Sequence, residues 1–206
     1  MLYPQLASQV AQLFAEPPLH AGSQAAAREA VLDKLKHQVQ QAATGEAALA
    51  LTFVCTHNSR RSHLAQIWAS LGVAYFGYGQ ITAYSAGTEV TALNERVIVA
   101  LEALGFRVER PEGDNPQYHI YFSDDHPPVL CWSKRFDDPS LPQTGFTAVM
   151  VCDHAEQNCP FIPGTKHRLA LPFLDPKYSD GTAAEREAYQ TAALTIGAEV
   201  LRVFNR

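Results

Sequence analysis

The sequence predicts an α/β fold: a mainly parallel central sheet flanked by helices, preceded by a helical extension and interrupted by an inserted segment. Three observations predict it. The runs "LALTFV" and "FTAVMVC" are apolar over strand length without alternation, which suits strands buried on both faces. Stretches such as "ALNERVIVALEAL" repeat their apolar residues at helical spacing. The two kinds alternate along the chain with no internal repeat, the pattern of a sheet built from strand–helix–strand units.

The elements follow in order. Leu2, Leu6, Val10, Leu13 and Phe14 share one helical face, Pro17 and Pro18 break that helix, and Val31, Leu32, Leu35 and Val39 mark a second. Residues 1–48 read as an N-terminal helical extension and residues 49–206 as the α/β domain. "LALTFV" is the first strand, and Leu64, Ile67, Trp68 and Leu71 give the inward face of the helix behind it. "ITAYSAG" is the second strand. A helix with Leu93, Val97, Leu101 and Leu104 inward ends at Gly105, and "FRVER" is a short third strand. Residues 112–145 are polar and hold two aromatic-rich runs, "YHIYFS" and "VLCWS", around "DDHPP", which predicts a hairpin inserted at an edge. "FTAVMVC" and "HRLALPF" return to the core. The last helix opens on Thr182 and Glu185 as a capping box and turns Tyr189, Ile196, Val200 and Val203 inward.

Composition narrows the function. A chain of 206 residues can bury a substantial core. Its net charge of −5 and 18% charged residues argue against a broad nucleic-acid surface. No apolar run approaches the roughly 20 residues of a membrane span. "MLYPQLASQV" has no basic start, apolar region or cleavage site of a secretory leader. Four irregularly spaced cysteines do not read as an extracellular disulfide framework. The expectation is a cytoplasmic protein with working thiols and neither nucleic-acid nor membrane partners.

The most informative stretch is "LTFVCTHNSRRSHLAQIWAS". It places Cys55 where a buried strand ends, six positions before Arg61 with five residues between them, and ligands in such sheets bind beyond the carboxyl ends of strands. The intervening Thr56, His57, Asn58, Ser59 and Arg60 can wrap a tetrahedral anion with their backbone N–H groups, aided by the positive end of the helix. Arg61 brings a planar fork for two oxyanion oxygens, and Arg60 adds charge that favours a doubly charged anion. Ser62 can hydrogen-bond the sulfur and Asn58 can pin the loop, so Cys55 is expected to be a thiolate in an oxyanion cradle.

"VCTHNSRRSHLAQ" resembles the signature of the low-molecular-weight phosphotyrosine phosphatase superfamily, and more closely that of its thioredoxin-coupled arsenate reductases. "YSAGTEV" and "LNERVIVALEALG" are similar to the segments that follow in that family, over residues 50–204. "VCDHAEQNCPFIPG" is similar to the reductases' redox pair. The resemblance implies that Cys152 and Cys159 relay a disulfide from Cys55 to thioredoxin, with no bound cofactor. By the residues alone, a core cysteine and an incidental loop thiol remain open, and Cys131 is taken as structural. Asp175-Pro176 in "FLDPKYSDG" looks like the family's general-acid loop. Three departures stand out: His57 where glycine is common, Gln66 where some reductases have an acidic potassium ligand, and no tyrosine pair after Pro176. Neither potassium nor any other metal is therefore carried over, and an aromatic phosphoester is a poor fit. The implied activity is arsenate reduction. The alternatives are a phosphomonoesterase using a phosphocysteine, and a non-catalytic oxyanion sensor or partner-binding protein.

Overall fold

A computed structural model describes residues 1–15, 23–45, 48–158 and 161–205. The break expected at Pro17-Pro18 and the side chain of Cys159 lie outside the described residues. Helices α1 (Pro4–Ala15) and α2 (Ser23–Ala43) precede strand β1 (Leu49–Cys55), helix α3 (Arg61–Phe76) and strand β2 (Ile81–Gly87). Helix α4 (Glu95–Ala103) leads to β3 (Arg107–Glu109), β4 (Tyr118–Tyr121) and β5 (Val129–Cys131). The chain then returns through β6 (Phe146–Met150), α5 (Asp153–Asn158) and β7 (Thr165–Ala170) to the long α6 (Glu185–Phe204).

The central sheet has four parallel strands in the order β2-β1-β6-β7. Every residue from Leu51 to Cys55 is buried, as is every residue of β6, which is why both strands read as continuous apolar runs. The chain leaves β1 toward β2 on one side, while β6 continues to β7 on the other. The carboxyl ends of β1 and β6 therefore flank the crevice where the strand order reverses.

"FRVER" does form a strand, but in a different sheet: β3 pairs antiparallel with β4, and β4 with β5. The inserted hairpin is thus completed by β3. It is joined to the main sheet where Gly87 N–H donates to Lys134 O at 2.8 Å and Phe136 N–H donates to Gly87 O at 3.0 Å.

Leu64, Ile67, Trp68 and Leu71 of α3 are fully buried, and α3 packs against α6. The close approach needs Gly197, because a Cβ there would lie 2.6 Å from the Trp68 indole. Trp68 also meets Phe106 edge to face, centroids 5.3 Å apart. Helices α1 and α2 contribute Leu6, Val10, Leu13, Leu32, Leu35 and Val39 to the same core. The cap of α6 differs from the expected box because the helix starts at Glu185. Thr182 Oγ1 accepts from Ala184 N–H and Glu185 Oε2 accepts from Gly181 N–H, both before the first helical turn. Among the described residues no helix is long and apolar enough to cross a membrane.

Candidate active site

Cys55 ends β1, almost fully buried at 5% exposure, and Arg61 begins α3. The carbonyls of the connecting loop are held outward. Cys55 O accepts from Thr88 N–H at 3.2 Å, Thr56 O from Glu89 N–H at 2.8 Å and Ser59 O from Asn94 N–H at 3.0 Å. His57 O accepts from Ser133 Oγ at 2.8 Å and from Thr91 Oγ1 at 3.2 Å. In a planar trans peptide the N–H points opposite to the C=O, so each outward carbonyl turns the next residue's N–H toward the loop interior. The result is a concave set of donors at the foot of a helix.

Asn58 and Ser62 support this loop. Asn58 has φ +44°, a left-handed conformation that asparagine tolerates. Its Nδ2 donates to Ser62 Oγ at 2.8 Å, and its Oδ1 accepts from Lys134 N–H at 3.0 Å. Ser62 Oγ in turn lies 3.0 Å from Cys55 Sγ. Gly87 makes the arrangement possible: a Cβ there would fall within 2.7 Å of the backbone atoms Asn58 N and Thr56 O. His57 turns its ring to Glu89, Nε2 to Oε2 3.2 Å, at the rim.

Across the loop stands Asp175, on the segment after β7. Its Oδ2 accepts from Arg61 Nη2 at 2.6 Å, and its Oδ1 from Arg60 Nε at 3.0 Å and from Lys177 N–H at 3.1 Å. Arg61 Nη1 donates to Phe173 O at 2.9 Å, which leaves its buried Nε without a partner. Cys55, Thr56, His57, Ser59, Arg60, Arg61 and Asp175 line one small cleft, with room for little more than a water molecule while the arginines hold the carboxylate. Arg60, read from the sequence as added charge for an anion, is bound to Asp175.

The second thiol lies behind the loop. Cys152 is fully buried just after β6 and 3.6 Å from Thr56 Oγ1. Ala155 N–H donates to its sulfur at 3.3 Å. The intervening "DHAEQN" is a short helix, α5.

Two supports carry no local sequence signal. Arg28 of α2 grips Glu199 of α6 with Nε at 2.8 and 2.9 Å, donates from Nη1 to Pro172 O at 2.7 Å and lies 4.6 Å from the Phe173 ring centroid. It thereby fixes the segment that carries Asp175. Lys134, only 4% exposed, donates from Nζ to Trp132 O at 3.3 Å and lies 4.0 Å from that indole's centroid. Burial pushes its pKa down to about 8. Burial likewise pushes the Cys131 thiol up to about 12. His63, whose Nδ1 is 3.0 Å from Ser85 Oγ, is lowered to about 3 by burial and then by the Lys134 charge, against a smaller opposing effect of the Asn58 backbone. Among the described residues no three His, Cys, Asp or Glu side chains cluster as metal ligands would.

No family model matches the chain. It is similar to an arsenate reductase of Halalkalibacterium halodurans, 29% identical over 136 residues that cover 66% of this chain and 80% of that protein. An arsenate reductase of Bacillus subtilis is 27% identical over 137 residues, 66% of this chain and 81% of that one. A solved structure described as an arsenate reductase in the phosphate binding state matches with a TM-score of 0.50 at 17% identity, over 76% of this chain and 96% of that chain. The curated matches establish a relation to the arsenate reductases, and the structural match establishes the shared low-molecular-weight phosphatase-like fold.

Proposed function

We propose, from the relation to the arsenate reductases and the geometry around Cys55, that this chain reduces arsenate to arsenite. The observation that carries the reading is the second sulfur. Cys152 is buried against Thr56, the residue next to Cys55, where phosphoester hydrolysis has no use for it.

In this reading arsenate enters the cleft and draws Arg61 from Asp175. The free Nε and the released Nη2 then form a fork for two of its oxygens, while the loop N–H groups take the others. The displaced Asp175 carboxyl, now beside an anion, is placed to carry the proton that the departing oxygen needs. Cys55 attacks arsenic, a sulfur–arsenic(V) bond forms, and water leaves. Cys152 then attacks Cys55 Sγ. The sulfur–sulfur bond forms, the sulfur–arsenic pair stays with arsenic, and arsenic(V) becomes arsenic(III) as two thiols become one disulfide. Cys159 is the thiol to which that disulfide passes, and thioredoxin is the external reductant that reopens it. No bound cofactor is part of this cycle. The cycle starts from free thiols, as Cys55 and Cys152 are here, and a reducing cytoplasmic setting suits it.

The phosphomonoesterase alternative uses only Cys55, Arg61 and Asp175 and leaves Cys152 without a task. The deciding experiment supplies arsenate with thioredoxin, thioredoxin reductase and NADPH, and in parallel an aryl phosphate. NADPH consumption that stops in Cys152→Ser is expected. Rapid aryl phosphate hydrolysis with no arsenate-dependent NADPH consumption would sink the reading.

A further inference from the structure

Thr56 Oγ1 has two polar neighbours beyond the loop: Cys152 Sγ at 3.6 Å and His154 Nδ1 at 3.2 Å. A hydroxyl carries one proton and two lone pairs, so to serve both it donates to one and accepts from the other. A thiol offers a proton and is a poor acceptor, whereas a neutral imidazole protonated at Nε2 presents an acceptor at Nδ1. These contacts accommodate one directional arrangement, from the Cys152 S–H to Thr56 Oγ1 and from the Thr56 O–H to His154 Nδ1. His154 is on the exposed side of α5, so its ring can exchange protons with water.

From this chain of contacts we infer that His154 receives, through the Thr56 hydroxyl, the proton that leaves Cys152 when that thiol is oxidised. The inference rests on the reading of Cys152 as the resolving thiol. The Cys152 S–H bond breaks and its proton goes to Thr56 Oγ1, as the Thr56 proton goes to His154 Nδ1. The Ala155 N–H, 3.3 Å away, stabilises the thiolate as it forms. The thiolate attacks Cys55 Sγ, and the sulfur–arsenic bond breaks with its electron pair retained by arsenic. Each sulfur is oxidised by one electron and arsenic is reduced by two. His154 then returns its proton to solvent, where the departing arsenite oxygens draw an equivalent one. Asp175, the other proton carrier of the site, is held by Arg60 and Arg61 at the cleft, whereas Cys152 meets the loop through Thr56. The two proton transfers thus have separate carriers. His154 acts through Thr56, as a positioning and proton-relay residue.

The test is single-turnover arsenite release by the full chain, with phosphate binding by calorimetry as the check on the cradle. His154→Asn keeps an acceptor near the Nδ1 position but takes no proton, and His154→Ala removes both. Both variants are expected to release arsenite about 10²-fold more slowly, the low end of the range for lost proton transfer, and added imidazole is expected to restore His154→Ala. Release by His154→Asn at the parent rate would overturn the inference, because a hydrogen bond alone would then suffice. Failure of imidazole to restore a His154→Ala that still binds phosphate would overturn it too. If His154→Ala loses phosphate binding, His154→Asn decides. Cys152→Ser separates the two ideas. Arsenite release that survives it removes the resolving-thiol reading. Release that stops there but continues at the parent rate in His154→Asn removes only the role of His154.

Discussion

Acidification from pH 7 to 5 is predicted to destabilise the protein through one buried side chain, His63. Its pKa is about 3 in the folded chain, against about 6.5 for a histidine in an unfolded one. Between those values the unfolded state binds a proton that the folded state refuses. The contribution is fully present above pH 6.5 and is lost as the pH falls from there toward 3. At pH 5 the gap of about 1.5 units below the unfolded pKa corresponds to about 2 kcal/mol, at about 1.36 kcal/mol per unit. The carboxylates held low, Glu109, Asp125, Asp137 and Glu185, act only below their ordinary range near pH 4, while Lys134 and Cys131 act near pH 8 and above. Urea unfolding at several pH values between 7 and 5 measures the slope, and His63→Asn is the control, since its amide can still meet Ser85 but does not titrate. The parent is expected to lose about 2 kcal/mol and the variant less than about 0.5. Equal slopes in the two proteins, or a flat parent, would refute the assignment. Ser62 touches the Cys55 sulfur and His63 follows it, so the titrating ring stands at the foot of the cradle.

The remaining predictions concern the cleft. Cys55→Ser should abolish arsenate reduction and any aryl phosphate hydrolysis, and Arg61→Lys should lower either by roughly tenfold or more, since a point charge cannot replace a fork; steady-state assays check both. Asp175→Asn should lower turnover about 10²-fold. It should leave phosphate affinity equal or tighter by calorimetry, because the carboxylate no longer competes for Arg60 and Arg61; weaker binding would point to a structural role. Gly87→Ala should cost about 1–3 kcal/mol in thermal or urea unfolding and weaken phosphate binding, because its Cβ would meet three backbone atoms at 2.5–2.7 Å.

The strand-to-helix junction around Cys55 was legible because it is local: a buried strand, small polar residues and a helix start follow one another within one stretch of chain. The core faces of α3, α4 and α6 were legible for the same reason, since helical periodicity shows itself within a few turns. What escaped reading was contributed across the fold. Arg28 lies more than a hundred residues from the Pro172 carbonyl it holds, and nothing in the pattern of α2 marks it out. Lys134 and Ser133 brace the loop through Asn58 Oδ1 and the His57 carbonyl, contacts that exist only once the insert docks on Gly87. "FRVER" has the composition of any short strand, and whether such a strand joins the main sheet or closes a hairpin depends on its pairing partner. The charge of Arg60 was visible in the same way, but the carboxylate that meets it comes from a distant segment.

The two thiols are brought together by strand order more than by loop motion. In the parallel register Val54 of β1 faces Met150 of β6, and Val151 N–H donates to Val54 O at 2.9 Å. Cys55 lies one residue beyond that pair and Cys152 two, so both thiols leave neighbouring strands at the same end of the sheet. The transfer to Cys159 is different, because α5 occupies the stretch between the two cysteines and holds Cys152 through the Ala155 N–H. In the proposed cycle the second exchange must therefore break that N–H contact and open α5, whereas the first joins two thiols that already leave the same end of the sheet.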